Sequence, residues 1–156
     1  MKSKRQSSRK GKSHSMLRKT AHHRKRKHIE CKHVKSDLIK TFMEMLTMIK
    51  VYHWNTHSFA QHKATDEIHG RLSENVDKFV EVLLGKTESR LVNLNEKIHL
   101  IRSKNTMDFK KCIYEYRECM IHLSDCFDAR RDSDLLNIRD EILADLNQLL
   151  YLFTLH

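Results

Sequence analysis

The chain has 156 residues, 39% of them apolar, which is enough for one domain with a modest core. It contains no proline and three glycines, and this scarcity of turn-forming residues argues against a sheet-rich fold and favours long helices. There is no apolar run of about 18 residues and no apolar core of a secretory signal, so we expect an intracellular protein without a membrane span and with reduced cysteines.

The positive charge is concentrated at the N-terminus. Residues 1–29 contain twelve Lys and Arg residues and no acid, whereas the other 127 residues contain eighteen basic and twenty acidic residues. Residues 1–35 offer little that could be buried, so we expect a basic arm that is disordered when alone. The remaining residues, 36–156, form the predicted folded domain.

The basic arm has the composition of a polyanion-binding segment. Such arms neutralise phosphates and release counterions, so we expect non-specific, salt-sensitive DNA binding, although the arm does not distinguish DNA from RNA. A solubility tail, or a nuclear address at Arg24–Lys27, is the alternative. The basic residues expected to contact nucleic acid are Lys2, Lys4, Arg5, Arg9, Lys10, Lys12, Arg18, Lys19, Arg24, Lys25, Arg26 and Lys27.

The apolar periodicity of the domain predicts four long helices. They cover residues 36–54, 62–84, 108–128 and 133 to the C-terminus, and a short middle helix is predicted over 91–101. The positions expected to be buried are Leu38, Phe42, Met45, Ile49 and Tyr52 or His53 in the first helix, Leu72, Val76, Phe79, Val80 and Leu83 in the second, Phe109, Cys112, Ile113, Tyr116, Met120 and Leu123 in the third, and Leu135, Ile138, Ile142, Leu146, Leu149 and Phe153 in the fourth. Ser36 is the expected N-cap of the first helix, and Gly85 is the expected stop of the second. Long helices joined by polar connections are typical of a four-helix bundle.

Potential metal ligands gather around the first connection and along the second predicted helix. His62, Asp66, Asp77 and Glu81 fall within about 100° of one another around the helix axis, and His53 closes the helix before it. Imidazole and carboxylate together suit iron, zinc or manganese. These five residues are the predicted metal site.

Distance along the helix separates the five ligands into two clusters. With a rise of about 1.5 Å per residue, His62 and Asp77 are about 22 Å apart, so one chain cannot bring them to one metal pair. His53, His62 and Asp66 can meet where the chain folds back. A two-fold axis between antiparallel copies of the helix would place Asp77 and Glu81 of a second subunit beside them, giving two equivalent sites.

This pattern resembles the mini-ferritins of the Dps type, in the ferritin-like superfamily. In that family His-Trp ends the first helix, and the second carries a His, an acid four residues later, and a D-x-x-x-E pair eleven residues after that acid. Here His53-Trp54, His62, Asp66 and Asp77-x-x-x-Glu81 match these positions. The resemblance implies an all-α, ferritin-like four-helix bundle with a short middle helix.

The resemblance also implies a function. It implies two irons per inter-subunit site, oxidation of Fe(II) preferentially by hydrogen peroxide, a shell of twelve subunits, and DNA binding through basic tails. Zinc and manganese remain alternative metals. A DNA-associated protein is expected in a nucleoid, nucleus, viral factory or virion, and the strongly basic arm is compatible with a divergent viral member. The alternatives are a non-enzymatic DNA-condensing or virion-associated protein on the same scaffold, and a helical adaptor.

The chain departs from the family pattern near the first connection. That connection is about three residues shorter than usual and lacks the common Gly-Pro. His57 lies within it and could replace a ligand, whereas His69 lies just off the ligand stripe and is a weaker candidate. Trp54 is interpreted as a packing residue, with shielding of the metal site as the alternative.

Three cysteines repeat every seven residues on the third predicted helix. Cys112, Cys119 and Cys126 share one face, and neighbouring thiols are about 10 Å apart along the axis, too far for a disulfide. A seam of small packing residues is the default interpretation. A soft metal site that includes His122 is the alternative.

Overall fold

The structure is a computed structural model that describes residues 37–88, 90, 97–98, 103 and 105–155. These residues form four α-helices and no strand: α1 over residues 37–55, α2 over Phe59–Thr87, α3 over Thr106–His122 and α4 over Ser133–Leu152. The predicted all-helical fold is confirmed for them. None of the described helices is long and apolar enough to cross a membrane.

Some predictions fall on other parts of the chain. The basic arm over residues 1–35 and the Ser36 N-cap lie outside the described residues. The predicted middle helix over 91–101 lies mostly outside them as well, and its two described residues, 97 and 98, are not helical.

Aromatic contacts join the helices into one core. Phe42 of α1 meets Phe79 of α2 edge to face, with ring centroids 5.4 Å apart. Tyr52 of α1 stacks on Phe109 of α3 at 3.9 Å, and Phe109 stacks on Phe153, directly after α4, at 5.1 Å. Burying a large apolar side chain stabilises a fold by about 1.5–3 kcal/mol, so these contacts account for much of the packing.

The predicted core positions are buried with few exceptions. Val80 and Cys112 are only half-buried, and both Tyr52 and His53 are buried where one of the two was expected. The other predicted positions in these helices are confirmed as buried: Leu38, Phe42, Met45, Ile49, Leu72, Val76, Phe79, Leu83, Phe109, Ile113, Tyr116, Met120, Leu123, Leu135, Ile138, Ile142, Leu146, Leu149 and Phe153.

The ends of α2 differ from the prediction. The helix begins at Phe59, where the Ser58 hydroxyl accepts the Gln61 backbone N–H as an N-cap. The predicted stop at Gly85 is wrong, because the helix continues to Thr87 and the left-handed conformation is taken by Glu88, with φ 46°. Lys86 explains the extra turn, since its ammonium binds the carboxylates at the start of α4.

A polar cluster fixes α2 against α4. The buried carboxylate of Asp145 in α4 accepts a hydrogen bond from Nδ2 of Asn75 at 3.0 Å and lies 2.9 Å from Nε of Arg71. Burial raises the pKa of Asp145, and Arg71 and Asn75 oppose that rise by stabilising the ionised form. Both partners belong to α2, so the cluster sets the position of that helix along its neighbour.

A buried arginine supports the end of α3. Nη1 of Arg139 in α4 donates to the Met120 carbonyl at 2.9 Å and to the Ser124 hydroxyl at 2.8 Å. Carbonyls in the last turn of a helix lack helical partners. The structure ends α3 at His122 and continues with a 3-10 turn over Leu123–Asp125, so the predicted end at residue 128 was too long.

Replacement of Arg139 by Met is expected to reduce the free energy of unfolding by about 2–4 kcal/mol, because the Met120 carbonyl loses a charged donor in a buried environment. Urea unfolding followed by circular dichroism measures the change. Arg130→Met removes the same charge from an exposed residue and is the matched control. Equal losses in the two variants would contradict the role assigned to Arg139.

Candidate metal centre

The connection between α1 and α2 is closed by hydrogen bonds to one glutamine. The Gln61 side-chain carbonyl accepts the Tyr52 hydroxyl at 2.7 Å and the Thr56 hydroxyl at 2.9 Å. Only residues 56–58 lie between the two helices. The predicted fold-back is therefore confirmed, and the end of α1 faces the first turns of α2.

His53 and His62 form reciprocal hydrogen bonds, each from the side chain of one residue to the backbone carbonyl of the other. Nδ1 of His53 lies 3.0 Å from the His62 carbonyl oxygen, and Nδ1 of His62 lies 3.0 Å from the His53 carbonyl oxygen. The two rings stack with centroids 3.9 Å apart. A carbonyl oxygen only accepts, so each Nδ1 carries a proton, and the lone pair of either ring in its neutral form lies at Nε2.

A hydrogen bond from Nδ1 to a carbonyl is one feature that these histidines share with metal-binding histidines. A ligating imidazole usually donates its other N–H to a carbonyl or carboxylate, which fixes the tautomer and the orientation of the ring. His53 is buried and His62 is half-buried, so neither ring turns freely in solvent. Thr65 adds to this restraint, with its hydroxyl 3.3 Å from Nδ1 of His53.

Asp66 lies on the Nε2 side of His53. Its Oδ1 is 3.7 Å from that nitrogen and 3.4 Å from Nζ of Lys50. The hydrogen bond from Lys50 is the main cause of a lowered pKa at Asp66, which is exposed. The carboxylate is therefore ionised at neutral pH. His53, His62 and Asp66 are neighbours, as expected from the sequence.

Asp77 and Glu81 do not join this cluster within one chain. Both are exposed on α2, and Asp77 lies eleven residues beyond Asp66 on one continuous helix, or about 16 Å along its axis. Among the described residues of a single chain, no group of three or more His, Cys, Asp or Glu side chains is placed to hold a metal ion, and this includes the group of His53, His62 and Asp66. The five predicted ligands can meet only if a second copy of α2 supplies the acidic pair.

The other residues singled out near the site lie around its edge. His57 is exposed and lines a cavity of about 370 Å³ at the α1–α2 connection. His69 is half-buried, and burial is the main cause of its lowered pKa. Trp54 is 69% exposed, so the interpretation as a packing residue is wrong for the isolated chain.

Cys126 lies beyond the end of α3, so the expectation that three cysteines share one helix face is wrong. The two cysteines on α3 fit the packing interpretation better than the metal one. Cys112 and Cys119 are half-buried, and burial raises the pKa of both thiols. A protonated thiol is a poor metal ligand. The His122 side chain is exposed, 3.8 Å from Asp125.

Lys50, Gln61 and Thr65 orient the predicted ligands but were not predicted from the sequence. Lys50 stands three residues before His53, a spacing that places both on one helix face, and this signal was available. No sequence pattern indicated the roles of Gln61 and Thr65, because their hydrogen bonds form only where α1 contacts α2.

The comparisons with known proteins give a family and one named relative. Residues 53–153 match a family described as a family of unknown function, DUF5856, and the chain belongs to it. The matched segment contains all five predicted ligands. The chain is also 27% identical over 139 residues to the "DNA protection during starvation protein" of Helicobacter pylori (strain J99), covering 80% of this chain and 94% of that protein. No solved structure matches.

The reciprocal hydrogen bonds predict the tautomers of two imidazoles. At alkaline pH, where both rings are neutral, His53 and His62 should carry the proton on Nδ1 and none on Nε2. Long-range ¹H–¹⁵N spectra, assigned with single substitutions, measure this. The exposed ring of His57 is the control and should show the averaged signal of an unrestrained imidazole. A proton on Nε2 of either ring would contradict the assignment.

Proposed function

We propose that the chain is a ferritin-like protein of the Dps type that binds and oxidises Fe(II) between subunits and binds DNA through its basic arm. Similarity to a protein named for DNA protection during starvation supports the family, and the described helices fit the fold. The observation that carries the proposal is the pair of histidines whose Nδ1 atoms are held by backbone carbonyls, with Nε2 of His53 3.7 Å from Oδ1 of Asp66.

The donor set fits iron. Neutral imidazole and carboxylate together are ligands that iron accepts, with zinc and manganese as alternatives. In the proposed site His53, His62 and Asp66 hold one metal, while Asp77 and Glu81 of the second subunit hold or bridge the other. In this ferroxidase reaction two ferrous ions give up one electron each. Hydrogen peroxide accepts both electrons with two protons and becomes two water molecules, and dioxygen is the alternative oxidant.

The assembly follows from the length of α2. An antiparallel pair of α2 helices brings the histidine end of each copy to the acidic end of the other, and the two-fold axis generates two equal sites. We propose a homo-oligomer built from such dimers, with a dodecamer as the complete assembly. Such a protein would act on DNA inside a cell or virion.

Ferrous oxidation tests the site. His62→Ala and Asp77→Ala should each reduce the rate of Fe(II) oxidation by hydrogen peroxide by about 10- to 100-fold, because each removes a ligand. Ultraviolet absorbance of the ferric product measures the rate. Glu115→Ala removes an exposed acid from α3 and is the matched control. Equal rates in all the proteins would remove the enzymatic claim.

Co-assembly of the two inactive variants tests whether the site is shared. In a dimer of one His62→Ala and one Asp77→Ala subunit, one site loses both ligands and the other keeps every ligand. Random mixing should therefore restore about a quarter of the wild-type activity if subunits share sites. No restoration in co-expressed, co-purified protein would contradict the two-subunit arrangement.

A second candidate function is a non-enzymatic DNA-condensing or virion-associated protein on the same scaffold. The basic arm favours it, because twelve cations without an acid in residues 1–29 are suited to neutralising phosphates. That interaction needs no metal, so DNA binding under this alternative would be independent of the proposed metal site.

Deletion of residues 1–29 tests the arm under both functions. DNA affinity should fall steeply, and the slope of log affinity against log salt should flatten by about 0.9 for each phosphate that the arm no longer neutralises. Gel shifts over a series of salt concentrations measure both. Binding that also disappears in metal-free wild-type protein would contradict the non-enzymatic alternative, and an unchanged slope would contradict the role of the arm.

A further inference from the structure

Lys50 reaches the predicted metal site from the same helix face as His53. The two side chains stand one turn apart on α1 and both extend across to α2. Nζ of Lys50 and Nε2 of His53 approach the same oxygen, Oδ1 of Asp66, at 3.4 Å and 3.7 Å. The ammonium therefore lies where a cation beside the Asp66 carboxylate would lie.

We propose that Lys50 acts as a resident cation that a divalent metal has to displace from Asp66. This inference rests on the proposed function, because it assigns the regulation of the same site. A metal ion that binds Nε2 of His53 and the Asp66 carboxylate shares an oxygen with the ammonium. Like charges at that separation repel, so metal binding requires Lys50 to move.

The structure makes this displacement physically accessible. The Lys50 side chain is 32% exposed and that of Asp66 is 55% exposed, so the ion pair is solvated and weak. Lysine also has a long flexible stem, which allows its ammonium to move into solvent while the stem stays on the helix surface. Lys50 thus holds the Asp66 carboxylate in place without metal and lowers the apparent affinity for the metal.

Zinc binding measured by calorimetry tests the displacement without relying on catalysis. In the full chain, Lys50→Met should tighten Zn²⁺ binding at the site by about three- to ten-fold, because the competing charge is removed. Lys50→Arg keeps the charge and should not tighten it. Lys111→Met removes an exposed ammonium from α3 and is the matched control. His62→Ala identifies the component of the titration that belongs to the site.

The outcomes separate this inference from the proposed function. Tighter binding in Lys50→Met alone supports displacement. Unchanged or weaker binding in Lys50→Met, beside a wild-type titration that depends on His62, overturns the inference and leaves the proposed metal site standing. A titration in which His62→Ala removes nothing from the wild type overturns the proposed site and, with it, the role of Lys50. Thermal unfolding by circular dichroism verifies that each variant is folded.

Discussion

The exchange of hydrogen bonds between His53 and His62 is the interaction on which the rest of the site depends. The His53 carbonyl lies in the last turn of α1, where helix carbonyls lack backbone partners, and the His62 imidazole supplies a donor to it. Because Nδ1 of His62 takes part in this hydrogen bond, Nε2 is the ring nitrogen that remains for a ligand. One contact therefore closes the corner between the helices and orients two nitrogen atoms that the proposed site would use as ligands.

The second constraint is the rigidity of α2. The helix runs for 29 residues without interruption. Its middle is fixed to α4 by Arg71 and Asn75, which both bind the buried Asp145 carboxylate. These anchors lie between Asp66 and Asp77, so bending cannot bring the two clusters together without breaking them. The separation of about 16 Å along the axis is thus a property of the fold, and for this reason the proposed site needs a second copy of α2.

The sequence predicted the core better than it predicted the ends of helices. Apolar periodicity is local and repeats over many turns, so the buried faces of all four helices could be identified. Gly85 was expected to end α2, but an ion pair from Lys86 to residues far along the chain supports another turn. That ion pair forms only after folding, and no pattern in the neighbouring sequence predicts it.

Part of the candidate site, like part of the fold, could be predicted from the sequence. The fold-back that joins His53, His62 and Asp66 followed from a short connection and helical spacing. The ring orientation, the Thr65 contact and the Lys50 pair did not follow, because they require the relative placement of α1 and α2. The assignment of the five ligands stays a prediction, as do the arm and the division at residue 35.

The charges around the proposed site connect these features. With its second copy in place, the site would combine three carboxylates, from Asp66, Asp77 and Glu81, with the single ammonium of Lys50. Three negative charges and one positive charge balance one divalent ion. Under the displacement proposed above, Lys50 moves into solvent as metal binds, and this would lower the net charge of a site holding two divalent ions from +2 to +1. In the proposed site, the ammonium that holds Asp66 before metal binds is therefore also the charge whose departure would favour a second ion.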